Sequence, residues 1–594
     1  MIKPTADTLF EVSWEICNKV GGIYTVVKSK ADRINDKYKN YFLIGPYFKN
    51  HADIEFDEET PPEDLISIFE ELKNEGIVCH YGSWLIKGEP KTILVDFKGI
   101  VSQKDDIKKH LWEDFKIDSM FSNWDFEEPM IWGYAVGRLL DRLSRVYEER
   151  KIVVQCHEWL SGFPLLYLKK TNADVGKVFT THATMLGRSI AGSGDELYGI
   201  LDHLDPEKEA KKRGVNDKFS VERAAALNAD IFTTVSEITA REAEKILGRR
   251  AEVLVLNGLD IEKFPTFEET SVKHTNSRKI LREFATYYFF PHYTFDMKHA
   301  LFFFIVGRYE YRNKGIDIFV KALGNLNKKL KEKNSNRTII AFFWIPTETH
   351  GIKVQLLENK TFYRHIKNYV EESEEDRQRR IITELLSGRE LTKKTLFTKV
   401  FLQQTKRDVL GFRRKGNPMF STHNLNNEEN DEIISHFKKE GLNNLKEDKV
   451  KVISYPVYLT GADGLLDLPY YDAMVGCHLG VFPSYYEPWG YTPLESAALG
   501  VPAITSDLSG FGKFIENKTS KQVSSGIFVL KRENRSEKEV VEDFTQMLYT
   551  YSTLNHHNRV KNKMDAKKIA NLADWKILIE NYIKAHNQSL EKKK

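Results

Sequence analysis

Short apolar runs recur along the chain, and each stops at a polar or glycine-containing loop before a stretch with helical spacing begins. Residues 41–44 precede Gly45-Pro46, residues 152–156 precede His157-Glu158, and residues 178–181 precede His182. Residues 231–235 run into Ser236, a good N-cap for the helix that follows, and residues 253–256 precede Asn257-Gly258. The pattern restarts with 301–306 before Gly307-Arg308, then 339–344, 450–454, 479–482 and 503–505. Continuous apolar strands alternating with helices predict α/β architecture with parallel sheets covered on both faces. The interruption between the two series predicts two doubly wound domains facing each other. They would span 1–275 and 301–555, with a linker at 276–300 and a C-terminal helix, within 556–594, returning to the first domain. Ligands of open parallel sheets lie beyond the carboxyl ends of the strands, where His157, His182, Asn257, Arg308 and Glu487 fall.

From about 347 to 447 the pattern changes. An acidic run at 371–376 meets a mostly basic one at 377–380, and Ile381, Ile382, Leu385 and Leu386 recur at helical spacing. This predicts a helical insertion in the second domain, either a solvated hairpin or a contact between copies. Residues 426–432 are polar enough for a loop.

Composition narrows the class. The 594 residues allow several domains, and 41% hydrophobic residues suffice for large cores. With 88 Lys+Arg against 85 Asp+Glu, the net charge of +3 gives no electrostatic reason to expect nucleic acid or an anionic membrane. No apolar run approaches the roughly 20 residues of a membrane span, and no secretory signal opens the chain. Cys17, Cys79, Cys156 and Cys477 lack C-x-x-C spacing and read as reduced thiols of a cytoplasmic protein. There is no D-x-D and no clustered His/Cys spacing, so no metal or cofactor is expected.

Three motifs carry candidate chemistry. In Asn18-Lys19-Val20-Gly21-Gly22-Ile23-Tyr24, two glycines before a helix let backbone N–H groups approach an anion, with Lys19 adding a charge. Taken alone, a Gly-Gly turn is usually just a turn. Gly307-Arg308-Tyr309-Glu310 followed by Asn313-Lys314-Gly315 brings two cations toward a helix N-terminus, a cradle for a diphosphate or a surface ion-pair set. The most specific runs from Pro483 to Glu495 and places Glu487 in a loop and Glu495 in the first turn of a helix. The N–H groups near Tyr491 and Thr492 could hold phosphate there, and Trp489 or Tyr491 could offer a face to a base. Gly192-Ser193-Gly194 lacks the third glycine and the preceding strand of a dinucleotide fingerprint.

Together these segments resemble glycogen synthases of the animal and fungal type. The likeness rests on residues 11–30, on Thr180-Thr181-His182-Ala183-Thr184 running to Gly187-Arg188, on Gly307-Arg308-Tyr309-Glu310 and on the run from Cys477 to Pro493. It extends from about residue 9 to Asp574-Trp575 and is weakest in the insertion. It implies a GT-B fold and retaining, metal-independent transfer of glucose from UDP-glucose to the non-reducing-end 4-hydroxyl of an α-1,4-glucan. By the resemblance, Glu487, Arg308, Lys314 and His182 act at the reacting centre. Lys19, Gly21, Gly22, Arg188, Asn257, Trp489, Gly490, Tyr491, Thr492 and Glu495 would hold the donor. His478, Arg559 and Lys563 match an allosteric glucose 6-phosphate site, although His556, His557 and Asp565 replace other arginines of the family's basic helix. The resemblance also implies a homotetramer and a glycogenin-like primer. The short stretches before Glu11 and after Trp575 lead us to expect no phosphorylated tails. Competing readings are an ADP-glucose-dependent glucan synthase, an inactive glucan-binding scaffold and a phosphorylase-like enzyme requiring pyridoxal phosphate.

Overall fold

The computed structural model describes residues 2–147, 149–518 and 526–593. The first sheet holds β1 (Thr8–Val12), β2 (Asn40–Pro46), β3 (Phe56–Glu58), β4 (Val78–Trp84), β5 (Lys91–Asp96), β6 (Ile152–His157), β7 (Gly176–Thr181), β8 (Ile231–Thr234) and β9 (Val253–Leu254). Their order is β3-β4-β5-β2-β1-β6-β7-β8-β9. In the second half come β10 (Ala300–Val306), β11 (Thr338–Trp344), a side ribbon of β12 (Thr349–Ile352) and β13 (His423–Leu425), then β14 (Val450–Ser454), β15 (Leu479–Val481), β16 (Ala503–Ser506) and β17 (Ile527–Leu530). Apart from the ribbon they form a sheet of order β14-β11-β10-β15-β16-β17. Both sheets start at the centre, grow to one side and then cross to the other. Their switch points therefore lie between β1 and β6 and between β10 and β15.

Every strand expected from the apolar runs is present. The expectation of purely parallel sheets needs correction, because β4 runs antiparallel to both β5 and β3. Only residues 85–90 join β4 to β5, too few for the crossover a parallel pair requires. Strand β1 is hidden in sequence by Glu11, a charged residue in the middle of a central strand, yet all five of its residues are buried.

The segment 276–300 is not a free linker. Helix Phe267–Phe289 begins at a capping box between Thr266 and Glu269 and buries Leu281, Phe284, Ala285, Tyr288 and Phe289. Those positions repeat at helical spacing and pack the helix against Tyr470–Gly476 of the second unit. The insertion is helical as expected, with Val354–Glu372, Glu374–Leu386, Lys393–Leu396 and Lys399–Phe412 leaving Ile382, Leu385, Leu386 and Val400 exposed. Its later part returns to the second unit, where Glu432–Lys439 packs on Ile316–Glu332.

The C-terminal segment is two helices rather than one. His556–Asn571 stays on the second unit against Tyr491–Ala498, while Trp575–Lys592 crosses to the first sheet and covers β6 to β9. At the crossing, Leu259 N–H donates to Ala573 O at 2.9 Å and Trp575 N–H donates to Leu259 O at 3.1 Å. Trp575 is fully buried, and its Nε1–H donates to Ser29 Oγ at 2.8 Å. A Cβ on Gly258 would come within 2.6 Å of the indole. Trp575→Ala should therefore cost about 3–5 kcal/mol in urea unfolding and expose the last helix to limited proteolysis.

Candidate active site in the cleft between the sheets

The loop after β1 delivers Glu15 beneath helix Gly22–Asn35. Its Oε2 accepts from the backbone N–H groups of Gly21 and Tyr24, each at 2.8 Å. The Gly21-Gly22 turn therefore already holds an internal carboxylate, which corrects the expectation that its N–H groups stand open to an external anion. Lys19 is exposed, its Nζ 5.9 Å from the Tyr24 ring centroid.

Strand β6 ends at His157 and β7 runs into His182. The backbone N–H groups of His182 and Ala183 donate to Glu158 Oε1 at 2.9 and 3.0 Å. Thr184 caps helix Met185–Gly192, which carries Arg188 to the cleft. Burial acts to lower the Arg188 pKa, but Glu158, with Tyr486, Glu222 and Glu310, raises it. Burial raises the Glu158 and Glu222 carboxyls.

From the second sheet, the loop after β10 brings Arg308 and Lys314, and the loop after β15 brings Glu487. Gly315, at φ +70°, lets them meet, since a Cβ there would collide with Pro483 O. Lys314 Nζ lies 2.6 Å from Glu487 Oε2, and Arg308, largely exposed, pairs with Glu310 at 2.9 Å. Arg188, Arg308, Lys314 and Glu487 line one cleft of about 630 Å³, joined by Arg312 and Tyr486, which the sequence reading missed. Both missed residues hold the two units together. Arg312 donates to Gly194 O and pairs with Glu196, while Tyr486 O–H donates to Glu242 Oε1 at 3.0 Å.

Around the final motif the outcome is mixed. Gly490, at φ +106°, precedes helix Tyr491–Ala498 and provides no side-chain cap, so the N–H groups at Tyr491 and Thr492 have no cap from that residue. Trp489 is 3% exposed and packs on Phe511 and Phe514, so its ring cannot face a ligand as expected. Burial of Glu495 pushes its carboxyl up to about 7, and the Tyr470 and Tyr471 hydroxyls donate to it at 3.0 and 2.9 Å. Tyr470, Trp344 and Tyr458 wall an adjoining cavity of about 360 Å³ that also reaches Arg308. None of these three tyrosines and one tryptophan was singled out from sequence. Trp344 ends β11, Tyr458 lies in a loop, and Tyr470 and Tyr471 open the helix Tyr470–Gly476, each distant in the chain from the Arg308 or Glu495 it adjoins. Asn257 and His182 do not line the larger cleft. Asn257 is 4% exposed, and its Oδ1 has no partner among the described residues.

A second site joins His478, Arg559 and Lys563 as expected and adds His274, Arg278, His556 and Tyr551 around about 340 Å³. Among the described residues, no carboxylate lines it. Lys563 Nζ donates to His274 Nε2 at 2.7 Å. Burial and then Arg278 hold the Lys563 ammonium well below its ordinary pKa, and burial takes Arg278 down to about 9. His478 Nδ1 accepts from Phe302 N–H at 2.9 Å, which leaves its Nε2 as the N–H donor when neutral.

The glycogen synthase family pattern matches residues 11–594. The chain belongs to the glycogen synthase family. It is thereby a glycosyltransferase. It is 36% identical over 99% of its length to a glycogen [starch] synthase of Dictyostelium discoideum, covering 67% of that protein. It is 34% identical over 98% to the liver enzyme of Mus musculus, covering 83%, and 35% identical over 98% to the Neurospora crassa enzyme, covering 84%. The catalytic domain of starch synthase IV from Arabidopsis thaliana, bound to ADP and acarbose, matches 99% of each chain with a TM-score of 0.51 at 12% identity, which shows the shared GT-B fold. Among the described residues, no helix is long and apolar enough to cross a membrane.

Glu242 yields a pH prediction. Burial pushes its carboxyl from 4.5 to about 7, against the hydrogen bonds from Thr184 and Tyr486. The folded state thus holds a proton that the unfolded chain has released. Stability from this group is full below pH 4.5 and falls as pH rises to about 7, by at most about 3 kcal/mol. Glu242→Gln should lessen the decline of Tm across that window, leaving the shares due to Glu158, Glu222 and Glu495.

Proposed function

We propose that this protein transfers glucose from UDP-glucose to the non-reducing-end 4-hydroxyl of an α-1,4-glucan with retention of configuration. The observation that carries this reading is the meeting of Arg308, Lys314 and Arg188 with Glu487 in one cleft, Lys314 and Glu487 being 2.6 Å apart. Charge develops on the departing diphosphate, so cations held in place beforehand act chiefly in the transition state and can do so without a metal ion. The N-terminus of helix Tyr491–Ala498 adds N–H donors with the dipole in the right sense. Glu495, fixed by Tyr470 and Tyr471, takes the ribose hydroxyls, and the aromatic cavity beside Arg308 takes the nucleobase. Glu487, His182, Asn257 and the backbone at Trp489 and Gly490 surround the sugar, with Lys19 and Gly21-Gly22 at the rim. Acceptor attack on the face that the phosphate leaves suits this arrangement, in which Glu487 is already paired with Lys314.

In this reading the carboxylate-free cationic pocket takes glucose 6-phosphate. Mutual repulsion and burial raise its energy when empty, and a phosphate dianion relieves both. The exposed apolar face of the insertion serves a homotetramer, a glycogenin-like protein starts the glucan, and the enzyme works in the cytoplasm.

The test is incorporation of labelled glucose into a glycogen primer from UDP-glucose or ADP-glucose without added metal. UDP-glucose should be used, and Glu487→Ala, Arg308→Ala and Lys314→Ala should each lower the rate about 10²–10³-fold. Incorporation from ADP-glucose alone would displace the donor assignment, and none from either would sink the reading. Glucose 6-phosphate should accelerate transfer, less so as pH rises and Lys563 loses its proton. The response should vanish in Arg559→Ala and Lys563→Ala, and a response retained in both would move the effector elsewhere.

A further inference from the structure

A continuous buried chain of polar groups runs through the first sheet from Lys30 and Glu11 to His182. Glu11 is 1% exposed and Lys30 is fully buried, and they form an ion pair. Tyr41 O–H donates to Glu11 Oε2 at 2.5 Å. His157 Nε2 stands 2.6 Å from Glu11 Oε1, and His157 Nδ1 stands 3.0 Å from His182 Nε2. The proton positions along this chain follow from its ends. Burial acts to raise the Glu11 carboxyl, but Lys30 and His157 hold it well below the usual carboxylate range. An ionised carboxylate only accepts, so His157 Nε2 carries the proton and donates. Burial lowers the His157 pKa, Lys30 adds to this, and Glu11 opposes it without prevailing. The ring is therefore neutral and its Nδ1 has only a lone pair. His182 Nε2 must then be the donor across the 3.0 Å contact. His182 is also neutral, held far below its ordinary pKa by burial first and then by His157, Lys30 and Arg188, with Glu11 opposing. Its remaining nitrogen, Nδ1, is unprotonated and has no partner among the described residues, while 7% of the residue stays exposed. The hydrogen bonds to Glu158 hold the His182 and Ala183 backbone in place.

We propose that Glu11, Lys30 and His157 are positioning residues that fix the tautomer of His182, so that it meets the transferred sugar with a hydrogen-bond acceptor and never with a donor. The proposal rests on the reading that His182 faces the donor sugar. A lone pair at that point takes the O–H of one sugar hydroxyl. It rejects a sugar in which that hydroxyl is replaced by hydrogen, and it repels one in which a carboxylate stands there, since a buried acceptor then goes unpaired. The relay thus selects a neutral, fully hydroxylated sugar by bond polarity rather than by shape alone.

Neutron diffraction from crystals of the full chain in deuterated solvent reads the proton positions without mutation. Deuterons are expected on Nε2 of both His157 and His182 and none on His182 Nδ1, and a deuteron on His182 Nδ1 overturns the proposal. Kinetics supply the functional arm, with UDP-glucose and its singly deoxygenated analogues as donors. The wild type should disfavour one analogue by at least about 10²-fold in kcat/KM. In His157→Phe, which removes the acceptor that orients His182, that ratio should shrink at least about tenfold while KM for the glucan is unchanged. An equal loss of rate with every donor would mark His157 as merely structural and overturn the proposal. Failure of the wild type to transfer glucose from any donor would sink the reading of the site, whereas the proton positions would still decide the tautomer.

Discussion

The backbone of Leu259 hydrogen-bonds in both directions to the segment from Ala573 to Trp575, and the geometry of the cleft depends on that crossing. It lies where the chain leaves the first sheet and where the last helix comes back to it. With Trp575 fully buried beside Gly258 and Ser29, the helix before it stays on the second unit and the helix after it covers β6 to β9 of the first. The carboxyl edges of the two sheets are thereby held toward each other. Arg312 to Glu196, Arg241 to Glu533 and Tyr486 to Glu242 then tie the facing elements together.

The two sides of the cleft differ in a way that decides where an anion can bind. On the first side, helix N-termini are already served by the protein's own oxygens. Glu15 accepts from Gly21 and Tyr24, and Glu222 and Thr184 accept from Met185 and Gly187. On the second side, the helix starting at Tyr491 follows a glycine without a side chain to cap it, and Arg308 and Lys314 stand nearby. A diphosphate would find the first side occupied by carboxylates and the second supplied with donors. The buried carboxyls of Glu158, Glu222 and Glu242 have raised pKa values and surround the region of Arg188, so the first side is built around internal neutralisation.

The cationic pocket shows the opposite strategy. His274 and Arg278 come from Phe267–Phe289, Arg559 and Lys563 from His556–Asn571, and His478 from the strand end between them. Among the described residues no carboxylate balances them in the pocket, so the empty state is electrostatically costly. One of these helices continues into the crossing at Trp575. A charge bound in the pocket is thus mechanically close to the segment that holds the two sheets in register.

The sequence by itself determined the two α/β series, because a strand buried on both faces must be a continuous apolar run and each such run is local. It also determined the glycine at 490, the cations at 308 and 314 and the carboxylates at 487 and 495, since these lie within two loops and the helix turn that follows one of them. Tertiary structure alone decided what those residues meet. It filled the Gly21-Gly22 turn with Glu15, buried Trp489 against Phe511 and Phe514, and walled the cavity beside Arg308 with Trp344, Tyr458 and Tyr470. It also made Glu11, which looks like a break in a strand, the buried anchor of a relay ending at His182. Such outcomes depend on desolvation and on partners tens or hundreds of residues away, and no local pattern of residue types encodes them.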